Sequence, residues 1–314
     1  MITLTQLEYI VAVERYGNFK RAAKSCFVTQ PTLSMQIQKL EEHLGVILFD
    51  RSKQPITPTP LGQKVLDQSR VVLSQANLIT ELINQAKDRV EGDLRLAVIP
   101  TLAPYLLPLF VNEFSREYPQ VRLFVEESKT DEIMAALQRN QLDVGLLVTP
   151  LEEPHLVEHP LFQEPFYVYA SEQSPLSRKA KLKDSDLKEY EMLLLTEGHC
   201  MREQMLRVCR LREGAERKQT QLQFESGSIE TLCHLVEKGD GYTIIPHLAK
   251  AWLQQRPGRS IPFADPAPSR EVSLVVHRSF VRNSLLAALK TSIQAHLPPE
   301  LLEPTAKLRT IPIK

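Results

Sequence analysis

The first forty-five residues contain three short segments whose apolar positions follow a helical spacing. Residues 4–16 carry apolar side chains on one face, which predicts an amphipathic helix. The Gly-Asn pair at 17–18 breaks that pattern, and a second short helix is predicted at residues 19–24. After a turn at residues 28–31, apolar positions spaced 4, 3 and 4 apart predict a third helix, which a glycine ends. The apolar positions of the third helix are Leu33, Ile37, Leu40 and Leu44.

Two short helices around a tight turn, with polar residues at the start of the second, are typical of a helix-turn-helix. On this pattern alone, an ordinary helical hairpin is the alternative. Residues 46–49 and 55–57 are strand-like and flank the basic residues Arg51 and Lys53. They predict a small wing whose tip suits DNA phosphates or the minor groove. The polar face of the third helix carries Thr32, Met35, Gln36 and Lys39.

Residues 60–90 continue as one predicted helix of about 30 residues, roughly 45 Å long. Its apolar residues recur three or four positions apart and form a seam. The seam consists of Leu66, Leu73, Ala76, Ile79 or Thr80, Ile83, Ala86 and Val90. Because the helix has no internal break, the seam predicts pairing between two subunits, whose two heads would then read two half-sites. The alternative is a helix that packs on its own domain.

From residue 94 onward, short apolar runs alternate with amphipathic stretches such as residues 103–118 and 131–140. This rhythm predicts an α/β domain with a mostly parallel sheet and helices on both of its faces. The predicted strands are residues 94–99, 122–126, 144–148, 166–170, 192–195, 222–224, 242–245 and 272–276. The tail from residue 298 is predicted to be loosely ordered.

Length and composition indicate the class of protein and its cellular compartment. A chain of 314 residues suits two domains, and 43% hydrophobic with 24% charged residues is ordinary for a soluble globular protein. No apolar run is long enough for a membrane span, and the N-terminus lacks the pattern of a secretory signal. Four cysteines in a chain of this size are not a secreted disulfide framework. We therefore expect a cytoplasmic protein without membrane contact.

Charge is informative only locally. Basic and acidic residues both number 38, so the whole chain is neutral. Residues 15–53, in contrast, carry seven basic and three acidic side chains, a net charge of +4 that suits a DNA-binding head. The chain lacks the motifs GxGxxG, GxxxxGKS/T, HExxH, GxSxG and CxxC. We therefore expect neither an enzyme nor a cofactor.

One cysteine, Cys200, follows a predicted strand and a glycine turn and stands where a helix is predicted to begin. The positive end of a helix, together with His199 and Arg202, favours the thiolate, which is the form that attacks peroxides. The alternative is that Cys200 and Cys209 are structural cysteines of one helix. A metal site built on these two and His199 lacks an apparent fourth ligand, so no metal is expected.

The head resembles the LysR-type regulators over its whole length. The positions that carry this resemblance are Asn18-Phe19, Ala22-Ala23, Gln30-Pro31-Thr32-Leu33-Ser34, Ile37, Leu40-Glu41, Leu44-Gly45, Leu48-Phe49, Arg51 and Thr57-Pro58-Thr59-Pro60-Leu61-Gly62. The resemblance implies that Gln30, Pro31, Ser34 and Met35 face the bases of double-stranded DNA, with Arg51 and Lys53 on its backbone. Position 35 is often arginine in this family, so Met35 argues against a bidentate guanine contact there.

The same resemblance implies a regulatory part made of two Rossmann-like lobes, similar to periplasmic binding proteins, with a cleft between them. We expect a DNA-binding domain at residues 1–59, a dimerisation helix at 60–90, the regulatory domain at 91–300 and a tail at 301–314. One lobe comprises about residues 93–162 and 267–300, and the other comprises about residues 163–266. A homodimer or homotetramer that acts with RNA polymerase is expected.

Within this family the chain is most similar to the hydrogen-peroxide sensors, which activate antioxidant genes. The matching segments are Gly198-His199-Cys200 with Arg202-Glu203-Gln204, residues 99–108, and Ser228-Ile229-Glu230-Thr231-Leu232. This resemblance implies that Cys200 is the peroxidatic cysteine and Cys209 the resolving one. It assigns peroxide binding and activation to Thr101, Thr130, His199, Glu203 and Arg270. Position 203 is an aspartate in the best-known member. A thiol reductant such as a glutaredoxin or thioredoxin is the implied partner for reduction.

Helix geometry gives this pairing a consequence. Nine residues of α-helix rise about 13.5 Å, whereas a disulfide needs Cα atoms within about 7 Å. If Cys200 bonds to Cys209, the helix between them cannot persist, so the bond would be a switch. Two other functions stay open: a regulator that binds a small metabolite in the cleft, and a peroxidase-like enzyme with a DNA-binding head. Cys26 and Cys233 are predicted to be structural.

Overall fold

The computed structural model describes residues 1–86, 90–209, 225–239, 241–303 and 307–313. Contacts within the chain define two compact units. One contains residues 1–89 with the short segments 138–141 and 279–283, and the other contains the rest of the chain.

Three helices build the head of the first unit: α1 (Leu4–Tyr16), α2 (Phe19–Ser25) and α3 (Gln30–Leu44). All three predicted helices are confirmed. Gly17 and Gly45 end α1 and α3 in the left-handed conformation that glycine adopts without strain, at φ of +56° and +68°. The helices bury a common core that includes Ile10, Val13, Leu33, Ile37 and Leu40, whereas Leu44 is only partly buried.

The wing is smaller than predicted. Strands β1 (Phe49–Asp50) and β2 (Thr57–Pro58) pair antiparallel over two residues each. The predicted strand at residues 46–49 forms only at its end, because the Leu48 N–H donates to the Glu41 carboxylate at 2.7 Å instead of to a strand. The wing is thereby attached to α3.

Helix α4 (Pro60–Ala86) follows the wing. Leu66 is buried in the core of the head, and Leu73 packs partly against the same core. Ile79 and Ile83, in contrast, are 67% and 50% exposed. The prediction that the whole seam pairs two subunits is therefore wrong for its first part, because Leu66 and Leu73 pack in the core of their own head. Residues 87–89 of the predicted helix lie outside the described residues.

The second unit is an α/β domain. Its strands are β3 (Gly92–Val98), β4 (Val121–Glu127), β5 (Val144–Thr149), β6 (Leu156–Ser171), β7 (Leu194–Leu195), β8 (Glu225–Ser226), β9 (Tyr242–Pro246), β10 (Gly258–Pro262), β11 (Ala267–His277) and β12 (Leu308–Thr310). Its helices are α5 (Ala103–Glu117), α6 (Thr130–Gln138), α7 (Cys200–Val208), α8 (Ile229–Val236), α9 (Ala249–Leu253), α10 (Asn283–Ala295) and α11 (Pro299–Leu302). Two 3₁₀ turns lie at Pro175–Arg178 and Asp184–Leu187.

The main sheet is mixed, with strand order β10-β6-β11-β5-β3-β4, β9 against β6 and β12 against β11. β3 runs parallel to β4 and β5, whereas β11 runs antiparallel to β5 and β6. β9 and β10 are also antiparallel to β6. The prediction of a mostly parallel sheet is wrong, because parallel pairing in the main sheet is limited to β3 with β4 and β5 and to the short β12 with β11.

Strand β6 is longer than predicted. Residues 156–165 pair with β11, and the remainder pairs with β9 and β10. The sequence predicts only residues 166–170, because Pro160 and Pro165 are residues that a central strand rarely contains. The bounds of the two lobes stay a prediction.

The C-terminal segment is ordered at residues 307–313, so the prediction of a loose tail is wrong. β12 pairs in parallel with residues 267–269 of β11. The N–H of Ile311 donates to the Ser269 carbonyl oxygen at 2.8 Å, and the Ile311 side chain is buried. This order depends on a pairing partner about forty residues away, which the local sequence does not contain.

Two further differences concern short strands. The predicted strand at residues 192–195 shortens to β7, while Met192 makes an isolated bridge to Tyr242. The predicted strand at residues 222–224 lies outside the described residues. Of the helices in the described ranges, none combines the length and the apolar character that crossing a membrane requires.

Candidate functional site

Cys200 is the first residue of α7, directly after a glycine turn. Gly198 has a φ of +85°, which favours glycine. A Cβ at this position would also lie 3.1 Å from the Lys129 Nζ atom. The glycine therefore allows the chain to turn tightly between β7 and α7, with Lys129 close against the turn.

The thiol of Cys200 is 7% exposed. Burial raises its pKa, while the Arg270 charge, the Thr130 hydroxyl and the N–H groups of Met201 and Cys200 lower it, and the net shift is upward. In the reduced protein Cys200 is therefore a neutral thiol at neutral pH. The prediction of a thiolate-prone cysteine is wrong for this state, because burial outweighs the helix N-terminus.

The groups that lower the pKa of Cys200 do not include His199 or Arg202. Burial, and then the Lys129 charge, lower the pKa of His199, so its imidazole is neutral at neutral pH. The Arg202 guanidinium donates to the Leu195 carbonyl oxygen at 2.5 Å, which ties α7 to β7. The cation that favours a charged sulfur is Arg270.

Two adjoining cavities meet at Cys200. A narrow crevice is lined by Cys200 together with Thr101, Lys129, Thr130 and His199. A larger cavity of about 240 Å³ is lined by Cys200, His199 and Glu203 and by the apolar residues Met134, Leu151 and Ile313. Thr130 and His199 border both cavities, so a small molecule in the larger cavity meets polar groups that also line the crevice.

Thr130 begins α6 and is buried. Its hydroxyl lies near enough to the Cys200 sulfur to lower the pKa of the thiol. This hydroxyl has no hydrogen-bond partner of normal geometry among the described residues. A buried hydroxyl in this condition is unusual and has the capacity to bind a small polar ligand.

Arg270 is completely buried and bridges two elements. Its Nε and Nη2 atoms contact the Glu164 carboxylate at 2.8 and 2.7 Å. Its Nη1 donates to the Thr101 hydroxyl at 2.9 Å, and Nη2 also donates to the Thr101 carbonyl oxygen at 3.1 Å. Glu164 further accepts from the Leu248 N–H at 2.8 Å. Sequence reasoning missed Glu164, because a carboxylate in the unpredicted half of β6 has no local signal.

Cys209 lies at the other end of α7, as its C-cap. Its sulfur is 3.3 Å from the Tyr242 hydroxyl and 3.6 Å from the Met192 sulfur. Burial raises the pKa of Cys209 to about 11, although the hydrogen bond with Tyr242 opposes this shift. All four cysteines lie in the described residues, and each is a free thiol.

The structure thus brings together most of the predicted redox residues. Thr101, Thr130, His199 and Cys200 share the crevice, Glu203 lines the larger cavity, and Arg270 holds Thr101. Cys209 is separated from Cys200 by the intact helix α7, whose rise over nine residues is about 13.5 Å. A bond between the two sulfurs requires this helix to unwind.

The candidate DNA-binding residues lie along the start of α3. Gln30, Pro31, Thr32, Met35 and Lys39 are exposed, and Ser34 is half-buried. Thr29 caps the helix by accepting from the Thr32 N–H at 3.4 Å. The exposed side chains occupy the face opposite the buried Leu33 and Ile37, as a surface that enters a groove requires.

The wing residues have partners within the head. Arg51 pairs with Glu41 at 2.9 Å and lies 5.1 Å from the Phe19 ring centroid, while Lys53 is 3.5 Å from Asp50. Sequence reasoning missed Phe27, whose side chain is 96% exposed in the turn before α3, at a φ of +56°. Its exposure depends on this backbone conformation, which the residue type does not predict.

Cys233 and Cys26 are apart from these sites. Cys233 is completely buried in α8, and burial raises its pKa. Cys26 is half-buried at the C-cap of α2, and burial raises its pKa as well. Among the residues that the structure describes, no group of three or more His, Cys, Asp or Glu side chains could hold a metal ion.

Comparisons with known proteins connect both units to one family. Residues 4–63 match the family described as "Bacterial regulatory helix-turn-helix protein, lysR family", and residues 87–298 match "LysR substrate binding domain". A Haemophilus influenzae protein named "Hydrogen peroxide-inducible genes activator" is 37% identical over 87% of this chain and 90% of its own length.

Two solved structures are similar over nearly the full length. Full-length OxyR from Pseudomonas aeruginosa, with one cysteine replaced by aspartate, is 35% identical, with a TM-score of 0.83 over 95% of this chain and 99% of that one. A hydrogen-peroxide-bound OxyR variant from Corynebacterium glutamicum is 30% identical, with a TM-score of 0.63 over 94% of this chain and 92% of that one. From its helix-turn-helix head to its regulatory domain, the chain belongs to the LysR family of bacterial transcriptional regulators.

Proposed function

We propose that this protein is a DNA-binding transcriptional activator of antioxidant genes that senses hydrogen peroxide by forming a reversible disulfide between Cys200 and Cys209. The observation that carries the proposal is a buried thiol, Cys200, beside the Thr130 hydroxyl, which has no partner of normal geometry among the described residues, with a second thiol at the other end of the same helix. The names of the similar proteins from Haemophilus influenzae and Corynebacterium glutamicum support the same signal.

Peroxide would bind where the crevice and the larger cavity meet. Hydrogen bonds to the two peroxide oxygens would come from the Thr130 hydroxyl, His199 and the Thr101 hydroxyl. Arg270 orients the Thr101 hydroxyl. Glu203 lines the approach through the larger cavity. The Arg270 cation favours negative charge on the sulfur, which develops as the proton leaves.

The first step is a two-electron oxidation of Cys200. Its sulfur attacks one peroxide oxygen, a sulfur–oxygen bond forms and the O–O bond breaks. The leaving hydroxide receives the thiol proton and becomes water, so the products are one sulfenic acid and one water molecule. Because His199 is neutral, it can accept the thiol proton and pass it to the leaving oxygen.

The second step forms the disulfide. The Cys209 sulfur attacks the Cys200 sulfur, the S–OH bond breaks, and water leaves with the Cys209 proton. Helix α7 unwinds so that the sulfurs meet. A dithiol reductant such as a glutaredoxin or thioredoxin reverses the bond by thiol exchange, and its own pair of thiols is oxidised.

The head would read an operator in double-stranded DNA through Gln30, Pro31, Thr32, Ser34, Met35 and Lys39, with Arg51 and Lys53 toward phosphates. Two heads in a homodimer, or two such pairs in a homotetramer, would read a symmetric operator. Refolding of α7 alters the surface of the regulatory domain and thereby changes how the assembly engages DNA and RNA polymerase. These partners are those of a cytoplasmic protein.

One observation favours a second candidate function. The cavity of about 240 Å³ has room for a small metabolite, and Asp131, His199 and Glu203 give it polar contacts. In this alternative, Cys200 is incidental and the cavity binds the signal.

Cys200→Ser separates the two functions. We expect wild-type protein treated with an equimolar amount of hydrogen peroxide to yield a peptide pair linked through Cys200 and Cys209 by mass spectrometry. Cys200→Ser should remain unoxidised and lose its transcriptional response, whereas Cys209→Ser should stop at sulfenic acid or oxidise further. A Cys200→Ser variant that still responds to peroxide, or a peroxide response without the linked peptides, would overturn the proposal. Rapid multiple turnover of peroxide with an added thiol reductant, without any effect of peroxide on DNA binding, would favour a peroxidase-like enzyme instead.

A further inference from the structure

We propose that the C-terminal segment, residues 307–313, is a strap that fastens α7 in the reduced state, and that its release is a step of the switch. This inference rests on the proposed function, because it concerns the helix that must unwind. The strap is the segment that the sequence predicts to be loosely ordered, and nothing in the motifs of the head or of the redox site accounts for its docking.

The strap is anchored on the sheet. β12 pairs with residues 267–269 of β11, directly before Arg270. The Ile311 N–H extends this pairing by donating to the Ser269 carbonyl oxygen at 2.8 Å. The Ile311 side chain is 6% exposed, so the strap has its own apolar anchor.

The strap also holds α7 from outside the helix. Gln204 is completely buried, and its Nε2 donates to the Ile311 carbonyl oxygen at 2.7 Å. The other amide atom, Oε1, has no hydrogen-bond partner among the described residues. The strap therefore supplies a hydrogen-bond acceptor to a buried amide in the second turn of α7.

A second contact places the strap at the redox site itself. Ile313 lines the cavity of about 240 Å³ together with Cys200, His199 and Glu203. One segment of seven residues thus binds Gln204 and also walls the cavity beside the first turn of α7. Unwinding of the first two turns of α7 displaces Gln204, so the hydrogen bond of Gln204 to Ile311 opposes it.

The hydrogen bond between Gln204 and the strap acts on the second step, whereas Ile313 borders the cavity through which peroxide approaches in the first step. Oxidation of Cys200 to sulfenic acid leaves α7 folded, whereas attack by Cys209 requires its unwinding. Ile311 is therefore a positioning residue that acts through Gln204. Loss of one such hydrogen bond changes an opening equilibrium by about two- to tenfold. Releasing the strap should raise the rate of disulfide formation by that factor.

Ile311→Asp tests this directly, because a buried carboxylate opposes docking of the strap. Leu302→Asp makes the same change at a residue of α11 that is 45% exposed, and Ile311→Val keeps the apolar anchor. After one equivalent of hydrogen peroxide, dimedone trapping measures sulfenic acid and mass spectrometry measures the disulfide. We expect a faster second step in Ile311→Asp alone, with wild-type rates of that step in Ile311→Val and Leu302→Asp.

A second pair of variants decides the matter if Ile311→Asp does not fold. Gln204→Met removes the amide that donates to the strap. Gln294→Met is the control: it removes a glutamine of α10 whose amide donates to the Leu161 carbonyl oxygen at 3.2 Å. We expect the second step to accelerate in Gln204→Met only. Equal second-step rates in both variants, or equal acceleration of both steps, would overturn the strap. Failure of wild-type protein to form the disulfide would instead contradict the proposed function.

Discussion

The sulfur of Cys209 lies 3.3 Å from the hydroxyl oxygen of Tyr242, on β9. This contact holds the second thiol at the far end of α7 while Cys200 occupies the first position of the same helix. Burial raises the pKa of Cys209 to about 11, and, unlike Cys200, Cys209 lines neither of the two cavities described above. The reduced protein therefore keeps its two thiols apart and unequal in their access to the cavities.

Tyr242→Phe should release Cys209 more readily. The variant loses one buried hydrogen bond, which typically contributes about 0.5–1.5 kcal/mol, so the disulfide step should accelerate about two- to tenfold. Tyr169→Phe is the matched control, because the Tyr169 hydroxyl donates to Glu237 at 2.7 Å and not to a cysteine. Stopped-flow measurement of both variants after a peroxide pulse checks this. An equal effect in the two variants would show only a general loss of stability.

The pH dependence of oxidation should reveal the proton acceptor. The pKa of Cys200 is raised, so its thiolate is a minor species that grows about tenfold per pH unit below that pKa. The pKa of His199 is lowered, so its neutral form dominates at and above neutral pH. If His199 carries the proton, the rate of sulfenic acid formation stays nearly flat from about pH 7 to 8.5 and falls as His199 becomes protonated in acid.

His199→Asn should convert that flat profile into a rising one, because reaction would then depend on the thiolate population. The second-order rate constant with peroxide, measured across this pH range for both proteins, is the test. A wild-type profile as steep as that of His199→Asn would exclude a role for this imidazole in proton transfer.

Substitutions in the head should distinguish contacts to specific bases from contacts to DNA of any sequence. Gln30→Ala should weaken operator binding by about 1–3 kcal/mol and relax specificity at one base position. Gln38→Ala, at an exposed residue of α3 whose amide donates to Glu42 at 3.0 Å, should change little. Fluorescence anisotropy with operator and random duplexes measures this. Equal losses on both duplexes for Gln30→Ala would contradict a base contact.

Arg51→Ala should act differently. Arg51 pairs with Glu41, whose other oxygen accepts from the Leu48 N–H, so the substitution also loosens the wing. Binding to all DNA sequences should weaken. The slope of log affinity against log salt concentration should decrease in magnitude by about 1.

The linker helix should show two separate effects along its length. Leu73→Glu places a carboxylate against the core of the head and should lower the thermal stability of the head. Ile79→Glu changes a residue that is 67% exposed in the single chain, so it should leave that stability unchanged and weaken the subunit pairing. Light scattering and thermal unfolding of the two variants distinguish these outcomes. An unchanged mass for Ile79→Glu would show that this part of α4 is not the subunit contact.

The sequence predicts what local patterns determine. Helices α1 to α3 follow from apolar spacing and glycine stops, and Cys200 follows from its place after a glycine turn. It does not predict what depends on distant partners. The first half of β6 contains prolines but pairs with β11, and β12 is too short to be recognised without its neighbour. The raised pKa of Cys200 also depends on distant residues, since burial by other elements outweighs the effect of the helix N-terminus.

Hydrogen exchange of the α7 amides, compared before and after one equivalent of peroxide, tests the central claim most directly. In the reduced protein, the amides of residues 203–208, which donate hydrogen bonds within α7, should be protected by the intact helix. After oxidation they should exchange much faster, because a disulfide between Cys200 and Cys209 cannot span the helical rise of about 13.5 Å. Cys209→Ser should retain the protection. A linked pair of cysteines with unchanged exchange in α7 would contradict the switch.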